Sequence, residues 1–294
     1  MTRTERRCLF LTMDDTRGWS IDADLAFEPM AALGWRCEWV PWKTPGVDWN
    51  NCDAVYIAAP WDYPQDLPRF MGVLGDIDAS SAILVNDLSL VKWSISKTYL
   101  RDLESRGAAI VPSRWFDAWT DAVLEECFDA FGENIIAKPV VSTNATDTFL
   151  IAQPVAEALR TQLQKTFAAR PFVVQPFIDA IRSEGEFSLF YFGRDFSHAI
   201  QKVPKRGDFR VQEEHGAEII AVEPQAALRK TGDFVMSLVD PLPVYCRCDF
   251  VRDAKGGFLV MELELIEPSM YLRMHREAPQ RFAEAFDDYV RQRR

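Results

Sequence analysis

The sequence predicts an α/β protein: an open α/β unit at the N-terminus followed by two α+β units. Apolar runs of strand length alternate with helix-spaced segments from residue 7 to residue 86, the texture changes around Pro112, and strands dominate from Gly185 onward. At 294 residues the chain is long for a single core, so several packed units are expected. They are placed at residues 1–108, 109–180 and 181–294.

In the first unit, RCLFLTM (7–13), RCEWVPW (36–42), AVYIAA (54–59) and AILVN (82–86) read as strands. Leu67, Phe70, Met71 and Leu74 repeat at i, i+3, i+4 and i+7, the spacing of a helix face. Strands alternating with helices imply an open sheet covered by helices, and ligands bind such sheets beyond the carboxyl ends of the strands. Those ends carry Asp14 and Asp15, Trp61, Asp62 and Tyr63, and Asn86 and Asp87. Each reads singly as a loop polar group or helix cap, and together they outline a small-molecule pocket.

The second unit reads as a helix (121–131), the strand NIIAKPV, the polar loop VSTNATDT, the strand TFLIA, a helix near 154–168 and the strand PFVVQPFI. In the third, EFSLFYF, FSHAIQKV and AEIIAVE precede a helix (224–238), a hairpin and a final helix near 277–292. DAIRSEGE (179–186) reads as a flexible link.

The hairpin is the most informative stretch. Asp253, Ala254, Lys255, Gly256 and Gly257 carry the Asp and paired Gly that tight turns require. Pairing Asp253 with Phe258 would set Asp249 opposite Glu262 and Arg247 opposite Glu264, with Met261, Leu263 and Leu265 on the other face. Like charges opposed across a ladder are unfavourable. Two readings stay open: a solvated face with Arg247 as partial counter-charge, or carboxylates gathered around Mg²⁺, a hard ion that takes oxygen ligands.

The 33 basic and 44 acidic residues give a formal charge of −11, which argues against a general nucleic-acid or membrane-surface binder. The short apolar run near the N-terminus is followed at once by acids, a poor signal peptide and a good first strand. No apolar stretch approaches a membrane span, and a cytoplasmic protein is expected. Six scattered cysteines read as reduced thiols, with Cys246 and Cys248 facing away from the acids. Neither a phosphate-binding G-x-x-x-x-G-K-[ST] loop, a G-x-G-x-x-G fingerprint nor a G-x-S-x-G elbow is present. The three histidines, His198, His215 and His275, are not spaced as a metal pair. The chemistry therefore falls to Lys, Arg and carboxylates. Lys138 ends a strand before the hydroxyl-rich loop, Lys97 opens a helix, Lys202 lies late in its strand and Arg210 sits in a mixed-charge loop. Each reads singly as a snorkelling cation; with an acidic patch for Mg²⁺ they suit phosphoryl transfer.

The order and approximate spacing of IIAKP, VVQPFI, GEFS, QKVP, GDFRVQ, RCDFV and VMELELIEPS resemble the ATP-grasp enzymes over most of the chain. With WDY (61–63), the likeness is to the cycloserine-forming synthetase and glutathione-synthetase-like ligases. The resemblance implies an ATP-grasp fold with an N-terminal pre-ATP-grasp domain and two subdomains that clasp ATP. It implies Lys97 and Lys138 on the nucleotide phosphates, Gln175 and the backbone of Phe177 and Ile178 at the adenine, and Glu186 near the ribose. Lys202 and Arg210 would hold the γ-phosphate and stabilise the acyl-phosphate step, and Asp249 and Glu262 would hold Mg²⁺ together with Glu264, which stands where many relatives have Asn. Two Mg²⁺ ions are expected, with Mn²⁺ as the alternative. The loop VSTNATDT lacks the glycines common at that position.

The implied activity is an ADP-forming carboxylate–amine ligase making an amide or ring from small-molecule carboxylate and amine substrates, with a homodimer as the family expectation. Candidate substrate residues are Asp14 and Trp61 at the strand ends and Arg247, Ser269 and Arg273 beside the hairpin, with surface or packing roles as their alternatives. The rival functions are a phosphotransferase or carboxylating enzyme of the same fold, and a non-catalytic nucleotide-binding protein.

Overall fold

Three sheets organise the molecule in the computed structural model, which describes residues 5–293. The first unit contains β1 (Arg6–Thr12), α1 (Phe27–Ala32), β2 (Trp35–Pro41), β3 (Ala54–Ala59), α2 (Leu67–Asp78), β4 (Ile83–Val85), α3 (Leu88–Ser94) and α4 (Tyr99–Ser105). Its parallel sheet has the order β2-β1-β3-β4. β3 is buried along its whole length, as its unbroken apolar run requires when both faces are covered.

The second unit runs through β5 (Arg114–Phe116), α5 (Asp121–Phe131), β6 (Asn134–Pro139), β7 (Phe149–Ala152), α6 (Glu157–Phe167) and β8 (Phe172–Pro176). Its antiparallel sheet, β5-β8-β6-β7, encloses a core around Trp119, Cys127, Phe167 and Phe172. The third contains α7 (Ala180–Ser183), β9 (Glu186–Phe192), β10 (Asp195–Val203), β11 (Glu218–Ala221), α8 (Ala226–Ser237), β12 (Tyr245–Arg252), β13 (Phe258–Glu264) and α9 (Ala278–Gln292). Its antiparallel order is β11-β10-β9-β12-β13. Cys246 and Cys248 lie in the core with Leu189, Val235 and Leu263, on the face away from the acids, and none of the six cysteines is joined in a disulfide.

The first and third units share a core. Phe282 and Phe286 of α9 pack with Phe10, Trp35, Tyr56 and Tyr245, and the Trp35 indole donates to Asp287 at 2.9 Å. Asn86, expected at a pocket rim, is instead a buried pin. Its amide donates to the carbonyls of Tyr245 (3.0 Å) and Leu265 (2.9 Å) and accepts from the Val244 N–H (2.6 Å). Asp87 caps α3.

Two local expectations are corrected. Residues 179–186 are not a flexible link: they form α7 and a tight return into β9, with Arg252 forked onto Glu184 at 2.8–3.1 Å. Gly185 has φ +93°, and a Cβ there would lie 2.3 Å from the Lys202 carbonyl, so only glycine passes. At the hairpin, Arg252 rather than Asp253 pairs with Phe258, and an irregularity between Asp249 and Phe250 restores the expected Asp249–Glu262 and Arg247–Glu264 pairs. The extra residue is Met261. As at other bulges it is re-aimed, leaving the Leu263 face to pack beside Val111, Ile178 and Val211.

Candidate active site

A cleft opens among the three sheets, with about 1620 Å³ of space between its atoms when the open mouth is included. Its apolar slot is formed by Val111, Ile136, Phe177, Ile178, Val211 and Met261. Gln175 reaches the wall, but its amide donates to the Ser113 hydroxyl at 2.9 Å. The Phe177 N–H is engaged by the Asn134 carbonyl at 2.9 Å, and the Ile178 carbonyl by the Ile181 N–H at 3.0 Å.

Beside the slot, charge is concentrated. Lys97, just before α4, donates to Glu262 at 2.7 Å and to the Ser142 carbonyl at 3.3 Å, while its own N–H bonds the Val140 carbonyl. One lysine thus ties the first unit, the loop after β6 and β13 together. Lys138 of β6 is buried on the same wall. Burial lowers its pKa, and Glu262 opposes that shift. Lys202 bridges Glu186 and Asp249, the latter at 3.3 Å. Burial would discharge this lysine, but Asp249 and Glu186 outweigh it and raise its pKa. Arg247 chelates Asp249 at 3.0–3.2 Å, also pairs with Glu264, and donates to the Ser269 carbonyl at 3.2 Å.

Asp249, Glu262 and Glu264 each offer an oxygen within 4.8 Å of the others. Burial alone would raise the Asp249 carboxyl, but Arg247 and Lys202 hold it at about 2. Burial likewise opposes ionisation of Glu262, and Lys97 and Lys138 overcome it. Glu264 is pushed up to about 7 by burial, against the pull of Arg247. An all-oxygen set of three carboxylates fits Mg²⁺, and the cations now resting on them show how much positive charge the cluster accommodates. The face is not freely solvated, since Asp249 is 2% exposed, and Arg247 serves as the counter-charge of Asp249 and Glu264.

The structure brings Lys97, Lys138, Gln175, Phe177, Ile178, Glu186, Lys202, Arg210, Arg247, Asp249, Glu262, Glu264, Trp61 and Ser269 to this one cleft. Arg210 lines it from the loop between β10 and β11, its guanidinium held by Asp208 at 2.7 Å. Two expected residues lie elsewhere. Asp14 is exposed in the loop after β1, and Arg273 is spent on Asp22 and Glu213, fastening two surface loops. Sequence reasoning missed Trp19, whose ring lies 5.0 Å from Trp61, and Glu267, pushed up to about 8 chiefly by burial and then by Glu264. Glu267 breaks the alternation of ELELIEP, coming three residues after Glu264 where the period of two places Ile266, so the pattern that marked the other acids gave no signal for it.

The family model for the N-terminal domain of D-cycloserine synthetase DcsG matches residues 8–86. The cycloserine biosynthesis protein DcsG of Streptomyces lavendulae is 27% identical over 290 residues, covering 92% of this chain and 95% of that one. The crystal structure of D-cycloserine synthetase DcsG superposes with a TM-score of 0.85 at 24% identity, covering 97% of this chain and 99% of the other. The ATP-grasp ligase PsnB, in complex with a minimal precursor, Mg and ADP, superposes at 0.64 with 13% identity, over 97% and 98% of the two chains. The chain has the ATP-grasp fold. The cleft lies between the sheet of the second unit and that of the third, roofed by the loop 142–148. That loop holds Asn144, Ala145 and Asp147 at positive φ and is fastened by Thr143, whose hydroxyl donates to the Trp61 carbonyl at 2.7 Å. Among the described residues no helix is long and apolar enough to cross a membrane.

Proposed function

We propose that this protein is an ATP-dependent carboxylate–amine ligase that activates a small, amino-acid-like carboxylate as an acyl phosphate and forms an amide bond or ring. The observation that carries the reading is the meeting, in one cleft, of an apolar slot, the Asp249–Glu262–Glu264 cluster and the cations Lys97, Lys138, Lys202 and Arg247.

The apolar slot takes the base, and the lysines before α4 and in β6 hold phosphate oxygens from two sides. Asp249 and Glu262, with Glu264, would hold Mg²⁺, as two ions in the fuller form of the reading; Mg²⁺ neutralises charge on transferring phosphates. Lys202 sits behind Asp249 and fixes its ionised form. Arg247 presents a guanidinium between the acidic cluster and the Ser269 backbone, placed to meet the acceptor carboxylate. Arg210 closes the same end and stabilises the charge that builds up as the carboxylate oxygen attacks. No protein nucleophile is required. Units 1–108, 109–180 and 181–294 then act as acceptor-binding domain, lid and metal-bearing body.

The test is ADP release with Mg–ATP against amino acids, hydroxy acids and ureido amino acids, singly and in pairs, with product masses. Release by one compound with internal loss of water or a leaving group means ring closure; release only by pairs means peptide-type ligation. No release while ATP still binds would favour a non-catalytic nucleotide-binding protein.

A further inference from the structure

Glu267 is a carboxylate that the proposed chemistry leaves unused. It lies three residues beyond β13, is 9% exposed and lines the cleft. The other buried or half-buried carboxylates on the cleft wall each have a cation. Glu186 has Lys202, Asp249 has Lys202 and Arg247, Glu262 has Lys97 and Glu264 has Arg247. Among the described residues no cation lies within 4.0 Å of Glu267, and the Tyr63 side chain is the group that most eases the upward push of burial and Glu264 on its carboxyl. The indole N–H of Trp61 donates to the Glu267 backbone carbonyl at 2.8 Å, and Trp19, which packs on Trp61, lines the same cleft.

A buried carboxylate without a counter-charge is costly, and the faces of indole rings attract cations. A protonated amine satisfies both features at once. A second anion or an apolar group satisfies neither, and Lys97, the cation whose charge reaches Glu267, is already paired with Glu262. We propose that Glu267, with Trp19 and Trp61 on the same cleft wall, seats the ammonium group of the acceptor and is the side chain that sets the preference for an amino acid over its hydroxy-acid counterpart. This rests on the ligase reading and adds to it a specificity-determining residue.

The experiment uses the full chain with Mg–ATP and reads ADP release with D- and L-alanine, D- and L-serine and ureido amino acids. Each is matched with the counterpart bearing hydroxyl in place of the amino group. The wild type should prefer the amino compound in kcat/KM by at least about 30-fold, the loss expected when one partner of a desolvated charge pair is removed. Glu267→Gln keeps the volume and removes the charge, and should shrink that preference to a few-fold, chiefly through KM of the amino compound, with KM for ATP little changed. Glu267→Asp should retain part of the preference, which also separates recognition from a merely structural role if the Gln variant folds poorly. Equal use of amino and hydroxy compounds by the wild type, or a preference unaltered in Glu267→Gln, overturns the assignment while ADP release still upholds the ligase. If no compound elicits ADP release although Mg–ATP raises the melting temperature, the ligase reading fails and the Glu267 assignment falls with it.

Discussion

Glu262→Gln separates the metal-holding role of the acidic strand from its structural role. Glu262 accepts from Lys97 at 2.7 Å with its side chain 27% exposed to the cleft. Glutamine keeps an acceptor oxygen, so what is lost is the charge assistance of one hydrogen bond, worth about 1 kcal/mol and less where solvent screens it. The melting temperature should fall by no more than about 2–4 °C. The functional loss should be far larger, because one of three carboxylates within 4.8 Å of each other is neutralised. Turnover should drop at least about 100-fold. Binding gives an independent readout. A ligand present at 100 times its dissociation constant stabilises by about 2.7 kcal/mol, and a hundredfold loss of affinity leaves only about 0.4 kcal/mol. The assay is ADP release beside thermal melts with and without Mg–ATP. A variant that turns over within a few-fold of wild type and keeps the full Mg–ATP-dependent rise in melting temperature would refute the placement of the metal at this strand.

Three further outcomes are expected. Asn86→Ala strands three buried backbone groups and should cost about 3 kcal/mol or more in urea denaturation; a loss below about 1 kcal/mol would contradict its role as the pin between the first and third units. His198, stacked 4.2 Å from Phe190, is held down to about 4 chiefly by burial. Above pH ~6.5 neither folded nor unfolded chain protonates it, and as pH falls from there toward 4 the unfolded chain takes up a proton the native one refuses. Stability is therefore lost on acidification, by up to about 3 kcal/mol from this group, and the stability difference between wild type and His198→Phe should shift by that amount between pH 7 and 4, in favour of the variant at the acid end. A constant difference would show that the ring protonates as freely in the native state. Gly185→Ala places a Cβ 2.3 Å from the Lys202 carbonyl at φ +93°. It should cost at least about 2 kcal/mol and, by displacing the Glu186–Lys202 pair, lower ADP release by more than its effect on the folded fraction explains.

Local sequence carried the sheets apart from the three-residue edge strand β5, because the other strands are buried on both faces or alternate cleanly, and burial fixes period and register. It carried the Asp249–Glu262 and Arg247–Glu264 pairs although the turn register was off by one, because the bulge at Met261 cancelled the error. Bulges leave no reliable mark in a single sequence, so the direction of Met261, and with it one wall of the slot, was not legible. Asn86 and Asp14 were equivalent in sequence, both polar groups after a strand. What sends one into the shared core and leaves the other in solvent is α9 and β12 packing back from more than 150 residues away. Arg273 and Glu267 show the same limit for charge. Which carboxylate meets a cation and which stays bare depends on tertiary neighbours, and Glu267 was distinguishable only once Glu262, Glu264 and Asp249 had each claimed theirs.

The central claim is that a substrate carboxylate attacks ATP in this cleft. Its most direct test takes the compound that releases ADP in the panel, labels its carboxylate with oxygen-18, and measures the mass of the inorganic phosphate formed. Passage through an acyl phosphate predicts one labelled oxygen transferred to phosphate for each product molecule. Unlabelled phosphate, with the label retained in the product, would contradict activation of the carboxylate by ATP.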